Sequence, residues 1–155
     1  MFKFLKKKEA FGNVAKGKVI DLSDVPDPMF SQKMLGDGYG IEPLEGSVYS
    51  PVSGTVTLVF PTGHAFGITD SNGVEILIHV GINTVELDGK GFTVHVEQGQ
   101  KINKGDKLVD VDLKTVEEAG ASTTTAIIFT SGEKISLIKR NQICAVIVEG
   151  LFYFS

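Results

Sequence analysis

The stretch HAFGITDSNGVEILIHV, residues 64–80, sets two strand-like runs on either side of Asn72-Gly73. Asn and Gly tolerate positive φ, so this dipeptide between runs rich in Ile and Val predicts a tight two-residue hairpin turn. HAFGI then lies antiparallel to VEILIHV. Counted outward from the turn, His64 near the start of one arm and His79 near the end of the other reach the same end of the hairpin. A core strand would ordinarily close on another aliphatic residue where this one has His79, because a buried imidazole needs partners for both ring nitrogens.

The same texture runs along the chain. GSVYSPVSGTVTLVF, GFTVHVEQGQKINKGDKLVDVDL, STTTAIIFTS and ICAVIVEG are rich in Val, Ile, Thr and Phe and are punctuated by Gly, Pro, Asn and Asp. That spacing predicts an all-β fold, an antiparallel β-sandwich or closed barrel. Asp37-Gly38 and Asp88-Gly89 read as further turns. SPVSGTVTLV and EQGQKINKGDKLVDVD both have the Gly-punctuated look of barrel-sandwich hairpins, two of which would wrap one core. Helix is expected only in the N-terminal arm, in a turn around PMFSQKML, and in LKTVEEAG, where Gly120 would cap the C-terminus.

A chain of 155 residues with 42% hydrophobic content supports one domain with a real core. We assign it to residues 16–155, after a basic arm of residues 1–15. Net charge is -4 although Lys3, Lys6, Lys7 and Lys8 crowd the arm, so the body is acidic. That balance argues against nucleic acid and suits a basic protein partner. Cys144 is the only cysteine, which excludes a disulfide framework or a Cys-based metal motif. The opening MFKFLKKKEAFG lacks the apolar core and cleavage site of a secretory signal, and no run is long enough to span a membrane. A cytoplasmic location follows. Phe2, Phe4, Leu5 and Phe11 beside four lysines suggest either a short interfacial helix touching anionic lipid weakly through residues 1–10, or a solubilising tail.

Two imidazoles at one end of a hairpin permit three chemistries. Each ring can be a satisfied structural residue, the usual fate of a strand histidine. The pair can ligate a metal, which normally wants a third or fourth ligand. Or one ring can attack phosphorus while the other donates to the phosphoryl oxygens. His95, alternating with Val94 and Val96, points to solvent and has no assigned role. Lys90 is an exposed turn lysine.

The segments DVPDPMFSQKMLGDGYGIEP, SPVSGTV, FPTGHAFGI, GVEILIHVGINTVELDGKGF, QKINKGDKLVDVDL and IIFTS, in this order, resemble the glucose-family enzyme IIA component of the bacterial phosphoenolpyruvate-dependent sugar phosphotransferase system. The resemblance covers about Lys18 to Glu149. It implies a β-sandwich with a shallow active-site depression and no cofactor. His79 matches the phosphorylated histidine, His64 its partner histidine, and Thr62 the hydroxyl residue that supports the partner. Gly81 is the expected source of a carbonyl that fixes the His79 ring. Met29, Phe30, Met34, Leu35, Phe60, Ile78 and Val85 are expected around the depression, with a plain core role as the alternative, above all for Ile78; Asp37 is available to a basic partner, to its own turn, or to both. Where the family commonly has aspartate in HxGID, this chain has Asn83, which predicts weaker charge steering at the docking rim. The implied donor is the histidine-containing phosphocarrier protein HPr, and the implied acceptor is a cysteine on a sugar-specific enzyme IIB domain.

Two rivals remain at this point. A zinc peptidase of the lysostaphin type needs a His-x-His pair, which the chain lacks. A regulatory module that keeps the fold without the transfer is the other, against which the presence of both histidines and Thr62 speaks.

Overall fold

The structure is a computed structural model and describes residues 10–146 and 148–155. Its strands are β1 (Gly17–Asp21), β2 (Asp37–Pro43), β3 (Ser47–Tyr49), β4 (Gly54–Val59), β5 (Ala65–Asp70), β6 (Glu75–His79), β7 (Phe92–Val94), β8 (Lys101–Ile102), β9 (Lys107–Val111), β10 (Thr125–Phe129), β11 (Ile135–Leu137), β12 (Ile143–Cys144) and β13 (Phe152–Phe154). The helices are short: α1 (Pro28–Ser31) and α2 (Leu113–Glu118), with 3-10 turns at Leu22–Asp24 and Thr84–Leu87.

Eight strands form one antiparallel sheet in the order β12-β1-β2-β10-β6-β5-β4-β8; β3-β9-β7 and β11-β13 form two smaller sheets. The all-β sandwich expected from the sequence is present. The sheets do not close into a barrel. The two Gly-punctuated segments do wrap one core, and they meet each other: Gly105 N–H donates to Ser50 O at 2.9 Å and Gly99 N–H to Val56 O at 2.6 Å.

Alternation along β6 decides where the site lies. Ile76 and Ile78 are buried in the main core with Phe66, Ile68, Tyr39, Leu108 and Phe129, while Leu77 packs on a smaller cluster of Ile20, Leu22, Val25, Phe30, Ile82, Ala126 and Ile128. Successive strand residues point to opposite faces, so His79 shares the Leu77 side. The sheet is therefore apolar on both sides at this strand, and α1 with its preceding turn covers the smaller cluster.

Three turn readings meet different outcomes. Asp88-Gly89 is a turn, with φ of 52° and 85°. Asp37-Gly38 is not; it opens β2 and pairs with Phe129 and Ile128. The β5–β6 hairpin has a loop one residue longer than expected, because Asp70 N–H donates to Val74 O and Thr69 pairs with Glu75. The Asp70 carboxylate stabilises that loop by accepting from Asn72 N–H and Val74 N–H at 2.8 and 2.9 Å.

Both expected helical segments of the body form. Asp27 and Asp112 cap α1 and α2 by accepting from Met29 N–H and Thr115 N–H. After α2, Gly120 N–H donates to Glu117 O and Ala121 N–H to Val116 O, which closes the helix at the expected glycine. The expected helix of the basic arm lies, for residues 1–9, outside the described residues.

Candidate active site at the open end of the β5–β6 hairpin

The longer hairpin loop has a consequence for the two histidines. His79 pairs with Ala65 rather than with Phe66, so regular alternation would send His64 to the face away from His79. The rings nevertheless meet, with centroids 5.0 Å apart. His64 precedes β5, in a turn closed by Phe60 N–H to Ala65 O and Gly63 N–H to Phe60 O. Its carbonyl still accepts from Val80 N–H at 2.6 Å, so backbone pairing holds the two residues together while the turn frees the ring from the pleat.

The His79 ring is oriented by the chain that follows it. Nδ1 lies 2.7 Å from the Gly81 carbonyl; a carbonyl only accepts, so Nδ1 carries the proton and Nε2 keeps the lone pair. That carbonyl is held by a locked turn. Thr84 Oγ1 donates to Val80 O at 2.7 Å, Ile82 and Ser122 exchange two backbone bonds, and Gly81 itself has φ of 78°. The phenyl ring of Phe30 packs against His79 at 4.9 Å between centroids.

His64 is tied to Thr62, whose Oγ1 hydrogen-bonds Nδ1. If the hydroxyl donates, the His64 proton sits on Nε2. Phe60 packs edge-on against the ring at 5.1 Å. Burial holds His64 down at about 4, reinforced by the neighbouring His79. Burial also lowers His79, against opposing contributions from the Gly81 carbonyl and the Asp27 carboxylate. Both imidazoles are therefore neutral where an ordinary histidine begins to charge.

The sign of the pH dependence follows. Below the ordinary value of 6.5 the unfolded chain binds protons that the folded site refuses, so stability falls as pH drops from 6.5 towards about 4. His64→Gln should flatten that slope in denaturant titrations at several pH values. An unchanged slope would show that the native His64 titrates normally.

The apolar positions expected around the site divide. Met29, Met34, Leu35, Phe60 and Val85 are exposed, with Met34 at 68% and Val85 at 53%. Phe30 is buried and supports His79 from beneath. Ile78 is a correction: it is wholly buried and belongs to the main core, on the opposite side of β6 from His79. Asp37 is a second correction. Its carboxylate accepts from Gly38 N–H and Ile135 N–H at 2.8 and 2.9 Å and lies 3.3 Å from Lys33, so structural bonds occupy it. It also pairs at the level of Phe129 and Ile76, three residue pairs from His79.

Asn83 is exposed and left-handed, with φ of 63° at the entry to the 3-10 turn. Asn is among the residues that adopt this region most readily. Backbone conformation thus supports the amide independently of docking charge. His95 is exposed, as expected, and pairs with Asp110 at 2.8 Å.

Asp27 is the site residue that the sequence reading missed. It caps α1 and its charge reaches His79. The Asp-Pro dipeptide was a usable signal, because aspartate before proline is a common helix start. Among the described residues no group of three or more His, Cys, Asp or Glu is placed to hold a metal ion, and no helix is long and apolar enough to cross a membrane.

A buried His64 and a half-buried His79 thus meet at one end of an antiparallel β-sandwich. Residues 9–135 match the family described as phosphoenolpyruvate-dependent sugar phosphotransferase system, EIIA 1, and the chain belongs to that family. It is 48% identical over 124 residues to a PTS system glucose-specific EIIA component of Halalkalibacterium halodurans, covering 80% of this chain and 72% of that protein. It is 52% identical over 127 residues to a PTS system glucose-specific EIICBA component of Streptococcus pneumoniae, covering 82% of this chain but only 18% of that longer protein. Glucose permease IIA from Mycoplasma capricolum superposes with a TM-score of 0.78 at 47% identity, covering 84% of each chain.

Proposed function

We propose that this chain is a cytoplasmic phosphocarrier that accepts a phosphoryl group from phosphorylated HPr on His79 and passes it to an enzyme IIB domain. The observation that carries the reading is the Nδ1–Gly81 hydrogen bond, which leaves Nε2 of a neutral imidazole as the free nucleophile. In loading, the donor's P–N bond breaks and its electron pair returns to the leaving imidazole as a P–N bond forms at His79 Nε2. In transfer, a cysteine thiolate of the acceptor attacks phosphorus and the His79 electron pair is restored. No metal or cofactor enters either step.

The transition state of phosphoryl transfer is loose, with charge spread over the equatorial oxygens, so positioning and hydrogen-bond donation dominate. His64 Nε2–H supplies the donor, its tautomer set by the Thr62 hydroxyl. Phe30 and Phe60 flank the rings and limit water access to the phosphohistidine. The exposed Met29, Met34 and Leu35 form a pliable apolar rim, suited to a surface that must accept two partners in turn. The match to EIICBA and EIIBCA proteins, which carry the matching segment within one chain, supports an enzyme IIB partner. Asp27, which caps α1 and whose charge reaches His79, is the carboxylate nearer the ring than Asp37, which pairs three residue levels away.

The test is reconstitution with phosphoenolpyruvate, enzyme I and HPr, followed by mass measurement of the trapped phosphoprotein. His64→Gln should load phosphate but pass it to enzyme IIB about 10²-fold more slowly, the scale on which loss of one oriented donor acts. Transfer at the wild-type rate would remove His64 from the mechanism.

A further inference from the structure

Thr84 opens the 3-10 turn that follows the histidine strand, and it is a polar side chain with only 1% exposure. A hydroxyl withdrawn from water to that degree needs a partner. Its Oγ1 donates to the Val80 carbonyl at 2.7 Å, four residues back. Val80 is itself buried, and its own N–H is spent on the His64 carbonyl. The rest of the Thr84 side chain lies against Gly81, where an added Cβ would collide with Thr84 Cγ2.

The Cα of Gly81 joins two peptide planes. The plane that carries the Gly81 carbonyl is held by backbone, because Ile82 N–H donates to Ser122 O at 2.9 Å. The plane that carries the Val80 carbonyl is held by the Thr84 hydroxyl. A peptide unit is planar, so a bond to one of its atoms fixes the direction of the others. Between the two planes stands a glycine at φ of 78°, with no Cβ to resist rotation. We propose that Thr84 is a positioning residue for His79: its hydroxyl keeps the Gly81 carbonyl aimed at Nδ1 and thereby keeps the lone pair on Nε2, a role that rests on Nε2 being the atom that accepts the phosphoryl group.

Thr84→Val keeps the shape of the side chain and removes the donor to the Val80 carbonyl; Thr84→Ser keeps the donor and removes the methyl. The experiment compares both variants of the full chain with wild type by long-range proton–nitrogen NMR of the imidazoles, which shows which ring nitrogen carries the proton, and by the rate of loading from phosphorylated HPr. Wild-type His79 should be protonated at Nδ1 alone. Thr84→Val should show a mixture of both tautomers and load about tenfold more slowly, the scale of one hydrogen bond, while Thr84→Ser stays near wild type in both readouts. A purely structural threonine lowers the denaturant midpoint and leaves the tautomer unmoved, so Thr84→Val with the wild-type tautomer overturns the proposal whatever its stability or loading rate. A tautomer as mixed in Thr84→Ser as in Thr84→Val assigns the effect to the methyl and overturns it too. Where wild type loads, a mixed tautomer with unslowed loading overturns it equally. If Thr84→Val does not fold, wild type decides: a hydroxyl proton donated inside the buried turn exchanges with water slowly enough to be observed, and one that exchanges too fast to be seen overturns the proposal. If wild type takes up no phosphate while the tautomer responds to Thr84→Val as stated, the phosphocarrier reading fails and the positioning of His79 by Thr84 stands.

Discussion

His79→Ala will take up no phosphate in the reconstituted system, although it will fold. His79 is only half-buried at the end of β6, and alanine there removes a ring packed on Phe30 without opening the main core. What disappears is a ring nitrogen whose lone pair the Nδ1–Gly81 bond leaves free and whose ring meets that of His64. His64 cannot substitute, because with the Thr62 hydroxyl donating to Nδ1 its Nε2 carries the proton, and its ring is buried. A mass increase of one phosphoryl group on the purified variant would place the acceptor elsewhere.

Gly81→Ala should be the most damaging change among residues that do no chemistry. A left-handed φ of 78° strains any side chain, and a Cβ there would lie 2.4 Å from Thr84 Cγ2 and 2.7 Å from the Ser122 carbonyl. Strain of this kind costs roughly 1–3 kcal/mol, which a stable β core can survive. The larger loss is functional. Relief of the clash moves the Gly81 carbonyl, the His79 ring loses its anchor, and misplacement of about 1 Å can slow transfer on the order of 10²-fold. Loading rate and denaturant midpoint measured together check this. A variant that unfolds at a lower denaturant concentration yet loads at the wild-type rate would mean that ring orientation is supplied by Phe30 instead.

The sequence made the β class and the meeting of the two histidines legible through different routes. Periodicity and turn residues gave the strands. A two-residue turn at Asn72-Gly73 brings the histidines to one end, but the loop is one residue longer. The rings meet for another reason: His64 lies in a turn before its strand, where alternation no longer governs direction. Loop length was hidden because the Asp70 side chain, rather than the Asn-Gly pair, decides it. Asp37-Gly38 misled in the opposite way. Local preference suggests a turn, yet the glycine is needed because a Cβ would come within 1.9 Å of the Ile127 carbonyl in the centre of the sheet. Burial on a particular face was equally invisible, which is why Ile78 was expected at the depression and Asp27 was not.

Gly12 and Glu149 face each other across an isolated antiparallel bridge, and both flanking segments enter the groove beside the β5–β6 loop. The histidines sit at the far end of β6, about 13 Å away along the strand. The path into the fold and the path out of it therefore share one pole, and the two histidine rings occupy the other. A linker attached at either pole-side end leaves the reactive end facing outward, like a plug on a cord. In the proposed role, its length would set the local concentration of the histidine site around a tethered acceptor, without altering a single contact at the rings.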